Sequence, residues 1–283
     1  MKSLKSLFGY EGKTVVVTGA ASGMGKAAVE LLVELGATVY ALDISDFNLS
    51  GTTSIGKADL GDKEPIDRMV TQLPEKIDTV FICHGMAASQ GVPLKVVKVN
   101  LLGPCYLAEK LLPRISDNGS IAFISSVAGF GWQAGVKDTS QLLECKDYDA
   151  MLDWCNAHPG TYESDPYAFS KGGINAYVRS RALTESYTKR RIRLNSICPG
   201  YTITGLTEAF NKVGSPTGDA EEGRRNLESA ILAPWNGRAA TAEEMGYPMV
   251  AFGSAIFSYM SGQTVFFDYG LTAQWEYTSL MQA

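Results

Sequence analysis

The stretch that most restricts how this chain can fold is residues 14–36. Thr14–Thr18 (TVVVT) is a run of β-branched residues suited to a strand buried on both faces. It leads directly into Gly19-Ala20-Ala21-Ser22-Gly23-Met24-Gly25, after which Met24, Ala27, Ala28, Leu31 and Leu35 recur at helical spacing. A buried strand, a glycine-rich turn and a helix in that order open a βαβ unit, and a second strand, Thr38–Leu42, follows at once. Further strands are expected at Thr79–Ile82, Ile121–Ser125, Arg193–Ile197 and Thr264–Asp268, with helical stretches near Pro93–Leu112, Tyr167–Lys189 and Ala242–Phe252. Thr241 and Glu244 have the spacing of a capping box at the start of the last of these.

Strands alternating with helices predict an α/β fold: a doubly wound parallel sheet of Rossmann type, one domain over residues 1–283. With 45% hydrophobic and 19% charged residues, the composition supplies a core of that size. A net charge of −5 without a basic stripe argues against nucleic acid as a partner. The five cysteines, Cys83, Cys105, Cys145, Cys155 and Cys198, are scattered with no CxxC pair, the usage of free thiols in a reducing compartment. The opening MKSLKSLFGYEGK has no apolar run long enough for a signal peptide or a membrane span. A cytoplasmic location is therefore expected. Cys145, Cys155 and His158 fit no standard zinc spacing, and no metal is expected.

Two segments break the rhythm. Residues 130–166 separate a strand from the next helix by far more than the usual few residues. Within them Tyr148, Met151, Leu152 and Cys155 follow the period of a short amphipathic helix, ended by His158-Pro159-Gly160. This predicts a helical insertion near the active site. Residues 205–237 are polar and punctuated by glycine and proline, the composition of a mobile substrate flap.

The glycine-rich turn has the spacing TGxxxGxG. Glycine is needed where the chain turns sharply and where backbone must approach a pyrophosphate, and the next helix presents unpaired N–H groups to that anion. Gly19, Ser22, Gly23, Met24 and Gly25 are the candidate phosphate contacts. Asp43 ends the second strand, where a carboxylate accepts hydrogen bonds from ribose hydroxyls and repels a 2′-phosphate. With Ile44 beside it and Ser22 uncharged, NAD is the expected cofactor rather than NADP. Asp59, with Leu60 next to it, is placed either against the adenine or as a helix cap.

Tyr167 and Lys171 stand at i and i+4, on one helix face. Interconverting a secondary alcohol and a ketone by hydride transfer needs a group that gives a proton to the forming alkoxide, or removes it in the other direction. A tyrosine at its ordinary pKa of about 10 is poorly matched to neutral pH, and a cation about 5 Å away offers roughly 3 kcal/mol toward the shift. Lys171 is expected to supply it. Ser126, closing an apolar strand, is expected to hold the substrate oxygen. Asn100, after KVVKV, is expected to hold a water between Lys171 and solvent. Singly, each of the four reads more readily as an ordinary core, surface or turn residue; together, and in this order, they point to catalysis.

The chain resembles the short-chain dehydrogenase/reductase superfamily over nearly its whole length, through TGAASGMG, Asp43, Asp59, the KVN ending at Asn100, ISSVAG, YAFSK, ICPGYTIT and GQTVFFDYG. The resemblance implies that Asn100, Ser126, Tyr167 and Lys171 form the catalytic tetrad, that Tyr167 and Lys171 also contact the cofactor, and that Gly85, Pro199, Gly200, Ile203 and Thr204 join the cofactor site. It also implies a homo-oligomer, for which a dimer is expected. Two departures stand out. Cys83-His84-Gly85 replaces the family's Asn-Ala-Gly, with His84 read as structural, and the separation of Ser126 from Tyr167 is longer than the family's usual one by roughly thirty residues. That long insertion resembles the bacterial 3α-hydroxysteroid dehydrogenase/carbonyl reductases.

Phe130, Trp132, Trp154, Leu206, Phe210 and Trp235 are the apolar residues expected around the site, either as a pocket for a hydrophobic small molecule or as packing beneath the insertion. The resemblance favours a hydroxysteroid or bile acid. A general carbonyl reductase for non-steroid ketones and an NAD(H)-binding sensor or scaffold without turnover are the alternatives.

Overall fold

The computed structural model describes residues 3–87, 91–233 and 237–282. Among them the strands are β1 (Thr14–Thr18), β2 (Thr38–Asp43), β3 (Thr52–Lys57), β4 (Ile77–Ile82), β5 (Ile115–Ile124), β6 (Arg193–Pro199) and β7 (Thr264–Phe267). The helices up to the end of β5 are α1 (Leu4–Phe8), α2 (Gly23–Glu34), α3 (Lys63–Val70), α4 (Pro93–Val97) and α5 (Gly103–Leu111). After β5 come α6 (Val136–Leu143), α7 (Tyr148–Ala157), α8 (Pro166–Arg181), α9 (Glu185–Thr188), α10 (Thr207–Val213), α11 (Ala220–Leu227), α12 (Glu243–Gly253) and α13 (Leu271–Gln282).

The strands form one parallel sheet in the order β3-β2-β1-β4-β5-β6-β7. This is the doubly wound arrangement expected. Side-chain alternation sends Val15 and Val17 into the apolar layer shared with α2 and α12, and Val16 into the opposite layer shared with α3, α5 and α8. Each such fully buried side chain contributes on the order of 1.5–3 kcal/mol. The chain order reverses between β1 and β4, so the connections leaving their carboxyl ends diverge and open a crevice there.

β3 has no counterpart in the expected strands. Its sequence, TTSIGK, lacks apolar alternation and stays partly exposed, because it is an edge strand held by pairing with β2. The helical stretch expected at 93–112 is interrupted by a π-helical turn, Lys98–Leu102, and the one expected at 167–189 divides into α8 and α9. The capping box forms: Thr241 N–H donates to Glu244 Oε2 (2.9 Å) and Glu244 N–H to Thr241 Oγ1 (3.3 Å).

Residues 130–166 contain α6 and α7. Asp147 caps α7 by accepting from Ala150 N–H (2.9 Å), and Tyr148, Met151 and Cys155 are buried on its inner face. Tyr148 packs edge-on against Tyr106 of α5 and donates its hydroxyl hydrogen to Gly61 O, tying α7 to the loop after β3. The described part of 205–237 is largely helical, as α10, α11 and a π-helical turn at Glu228–Leu232. Trp235 lies outside the described residues. Among the described residues no helix is long and apolar enough to cross a membrane.

Candidate active site

The crevice at the β1/β4 switch is a cleft of about 420 Å³ lined by Gly19, Ser22, Gly23, Met24, Gly25, Asp43, Asp59, Leu60, His84, Gly85, Thr204 and Leu206, among others. Gly19 has φ +67°, and a Cβ there would lie 2.7 Å from His84 N; one on Gly25 would overlap the Gly19 carbonyl. Only glycine allows this turn to press against the β4 segment. Ser22 makes no side-chain cap, so the first N–H groups of α2 open toward the cleft, as an anion requires.

Asp43 is buried and oriented: its Oδ2 accepts from Ala21 N–H and its Oδ1 from Ser45 N–H, both at 2.9 Å. Each oxygen keeps a second acceptor position for a diol. Asp59 Oδ1 accepts from Gly61 N–H (3.0 Å), closing a turn ahead of α3, whose N-cap is Asp62, while Asp59 still lines the cleft. The residues present thus fit a dinucleotide: a glycine turn, an uncapped helix start and an oriented carboxylate surround one cleft.

The carboxyl ends of β4 and β5 and the start of α8 build the second half. Asn100 and Lys171 are 1% and 4% exposed. Both face Gly85, where a Cβ would lie 3.1 Å from Asn100 Oδ1 and 3.5 Å from Lys171 Nζ. Asn100 sits in the π-helical turn, and its carboxamide is committed to Met86, accepting from Met86 N–H (2.8 Å) and donating to Met86 O (2.9 Å). This side chain splints the loop after β4, because that loop's backbone offers a matched donor and acceptor.

Asp165 caps α8 through Ala168 N–H (2.9 Å), and Pro166 occupies its first turn. The Tyr167 hydroxyl lies close enough to the Ser126 side chain to be stabilised by it. Lys171 Nζ lies 5.7 Å from the Tyr167 ring centre and donates to Ile124 O (3.1 Å). Burial pushes Tyr167 up to about 12, partly offset by Ser126, and pushes Lys171 down to about 8. The lysine was expected to lower the tyrosine; in the protein alone desolvation of the phenolate wins, and the ammonium points at the β5 carbonyl.

Ser126 also accepts from Ala128 N–H (3.2 Å), starting a tight turn over Val127–Gly129. Of the remaining cofactor candidates, Thr204 packs over Gly23, while Gly200 lines a neighbouring cavity of about 370 Å³ with Asp268 and Leu271. Pro199 is buried at the end of β6, and Ile203 is largely exposed. Of the substrate candidates, Leu206 lines the cleft and Phe210 sets its ring edge-on to Tyr167, 5.2 Å centre to centre. Phe130 packs on Phe266 and Trp275 of α13, Trp132 lies over Gly172, and Trp154 stacks on His158 at 4.4 Å. Trp132 and Trp154 belong to the packing beneath 130–166.

His84 Nδ1 meets Thr18 Oγ1 at 2.7 Å, and Nε2 is buried without a partner. Burial pushes this ring down to about 3, so it is neutral. Cys145 donates to Gln141 O, Cys155 is buried, and among the described residues no group of three or more His, Cys, Asp or Glu is placed to hold a metal. Residues the motifs did not single out include Met86, Ser125, Asn175 and Cys198. Ser125 Oγ donates to Lys171 O (2.9 Å), tying β5 to α8. A signal for Asn175 exists in the sequence: it stands four residues after Lys171, a polar residue on a helix face that must be buried.

A family model described as short chain dehydrogenase matches residues 13–137, and one described as Enoyl-(Acyl carrier protein) reductase matches residues 151–272. A coniferyl-alcohol dehydrogenase of Pseudomonas sp. (strain HR199 / DSM 7063) is 33% identical over 198 residues, covering 70% of this chain and 76% of its own. A 3-alpha-hydroxysteroid dehydrogenase/carbonyl reductase of Comamonas testosteroni is 27% identical over 262 residues, 92% of this chain and 96% of its own. The crystal structure of the 3-alpha-hydroxysteroid dehydrogenase from Pseudomonas sp. B-0831, complexed with NADH, superposes with a TM-score of 0.75 at 23% identity, over 93% of this chain and 98% of that one. The chain belongs to the short-chain dehydrogenase family. It is an oxidoreductase with the family's nicotinamide-binding fold.

Proposed function

We propose that this protein is an NAD-dependent dehydrogenase that interconverts a hydrophobic secondary alcohol and its ketone. The observation that carries the reading is the convergence of Ser126, Tyr167 and Lys171, with Lys171 next to Gly85 at the edge of the glycine-turn cleft. Gly19, Ser22, Gly23, Met24 and Gly25 would hold the pyrophosphate, Asp43 the adenosine ribose, and Asp59, Leu60, Gly85, Pro199, Gly200, Ile203 and Thr204 the rest of the cofactor. A bound nicotinamide supplies the hydride acceptor or donor and, when oxidised, a positive charge. Asp43 favours NAD, since its oriented carboxylate repels a 2′-phosphate and its neighbours Ile44 and Ser45 carry no compensating charge.

Tyr167 donates its proton to the forming alkoxide in reduction and removes it in oxidation, while Ser126 hydrogen-bonds the same oxygen. With Tyr167 pushed up to about 12, the hydroxyl keeps its proton at neutral pH. Oxidation, which needs the phenolate, is therefore expected to speed up as pH rises, by about tenfold per unit until the working pKa of Tyr167 is reached. Lys171 keeps its amine against the pocket floor through Ile124 O, from where it would hold the ribose of a bound cofactor. Asn100 keeps the Met86 loop, and so this floor, in place.

The substrate reading is a hydroxysteroid or bile acid, supported by the Comamonas relative, which matches over nearly its full length. A second reading, an aromatic allylic alcohol, draws on the coniferyl-alcohol dehydrogenase relative and on the Phe210 ring set against Tyr167. Assembly as a homo-oligomer, with a dimer favoured, accompanies the proposal. The test is reduced-cofactor absorbance with NAD⁺ and with NADP⁺ against 3α-, 3β-, 7α-, 12α- and 17β-hydroxysteroids and coniferyl alcohol. NAD-linked turnover lost in Tyr167→Phe supports the proposal. Tight NADH binding with no turnover of any alcohol or ketone would overturn it in favour of a sensor or scaffold.

A further inference from the structure

The turn that carries Ser126 is held by one side chain that no motif marks. Asn175 is fully buried on α8, one helical turn beyond Lys171 and two beyond Tyr167. Its Nδ2 donates to Gly129 O (3.3 Å), at the far end of the Ser126 turn. Its Oδ1 accepts from Cys198 Sγ (3.5 Å) and from Ser196 Oγ (3.2 Å), both on β6. Cys198 Sγ in turn lies beside the Ser126 backbone, which favours its thiolate form. The near end of the turn is therefore reached through Cys198 and the far end directly.

Gly129 presses onto this contact: a Cβ there would lie 2.7 Å from Asn175 Nδ2 and 3.0 Å from Lys171 O. Every polar atom of the carboxamide is used, as a buried amide demands, and its partners lie on two elements, the Ser126 turn and β6. A carboxamide is suited to this position because it presents a donor and an acceptor in one rigid plane. Leucine would fill the space without either, and the hydrogen-bonding groups of Gly129 and Cys198 would lose their partner.

We infer that Asn175 is a positioning residue for the reaction: it clamps both ends of the Ser126 turn to α8 and so sets the distance between the Ser126 and Tyr167 hydroxyls. The inference rests on Ser126 and Tyr167 being the reacting pair. It predicts a loss confined to chemistry, because misplacement by about 1 Å costs up to 100-fold in rate while the glycine-turn cleft is built from other residues.

The experiment compares wild type, Tyr167→Phe, Asn175→Leu, Cys198→Ala and Cys198→Ser. NADH affinity is read by fluorescence titration, and kcat and KM are measured with androsterone and with coniferyl alcohol. Crystal structures of wild type and Asn175→Leu complete the set. Expected are a 10- to 100-fold lower kcat for Asn175→Leu with NADH affinity within twofold, and a smaller loss for Cys198→Ala that Cys198→Ser restores. In the crystals the Ser126 turn should shift relative to Tyr167. An unmoved Ser126 turn overturns the inference whether or not either alcohol is turned over. Wild-type kcat in Asn175→Leu alongside an inactive Tyr167→Phe overturns the clamp and leaves the proposed function standing. Full activity in Tyr167→Phe overturns both.

Discussion

The two halves of the cleft are built on different principles. The cofactor half is made largely of backbone: Gly19 to Gly25, the first turn of α2, and an aspartate whose orientation comes from the N–H groups of Ala21 and Ser45. The catalytic half is made of side chains drawn from the π-helical turn at Asn100, the end of β5, the start of α8 and the end of β6. In the first half the geometry follows from local conformational rules. In the second it depends on buried polar groups meeting across the fold, where each contact is strong because water is excluded and each missing partner is costly. The first tolerates little change of shape, the second little change of chemistry.

The largest expected effect breaks the catalytic half alone. Tyr167→Phe removes the proton donor and should lower kcat/KM by about 10³-fold or more, with NADH affinity, read by fluorescence titration, nearly unchanged. Lys171 tests the cost of building that half. Its depressed pKa, about 8 against 10.5, means that below pH 8 the folded state bears the whole cost of a buried ammonium. Between 8 and 10.5 the unfolded chain binds more protons, so stability rises with pH and the cost disappears. Lys171→Met should therefore abolish turnover yet stabilise the protein by roughly 3 kcal/mol at pH 7, a gain that fades above pH 8. Denaturant titrations at pH 7 and pH 9.5 check it; an equal or negative difference at pH 7 contradicts it.

The cofactor half should fail in the opposite way. Gly19→Ala forces a side chain into left-handed backbone, 2.7 Å from His84 N, and should cost about 1–3 kcal/mol of stability and weaken NADH binding at least tenfold. Its kcat at saturating cofactor should fall much less than that of Tyr167→Phe. The smallest effect sharpens cofactor choice: Asp43→Asn should raise the KM for NAD about tenfold and that for NADP less, narrowing the preference. If the preference does not move, Asp43 is not what selects the cofactor.

How much was legible in the sequence follows the same division. The strand–turn–helix opening, the place of Asp43, the one-face pairing of Tyr167 with Lys171, α7 with its buried Tyr148, Met151 and Cys155, and the Thr241–Glu244 capping box are all set by period, spacing and local hydrogen bonding. The sequence by itself determined these because each is a property of a few consecutive residues. Only the tertiary structure decided that TTSIGK becomes β3, since an edge strand takes its conformation from the partner it pairs with. It alone turned the Asn100 carboxamide onto Met86, aimed Lys171 at Ile124 O and let burial raise Tyr167. It also placed Trp154 in the packing and Phe210 at the tyrosine, and it joined Asn175 to Gly129 and Cys198. Most of those outcomes depend on which groups find partners once water is gone, and most are settled between residues far apart in the chain.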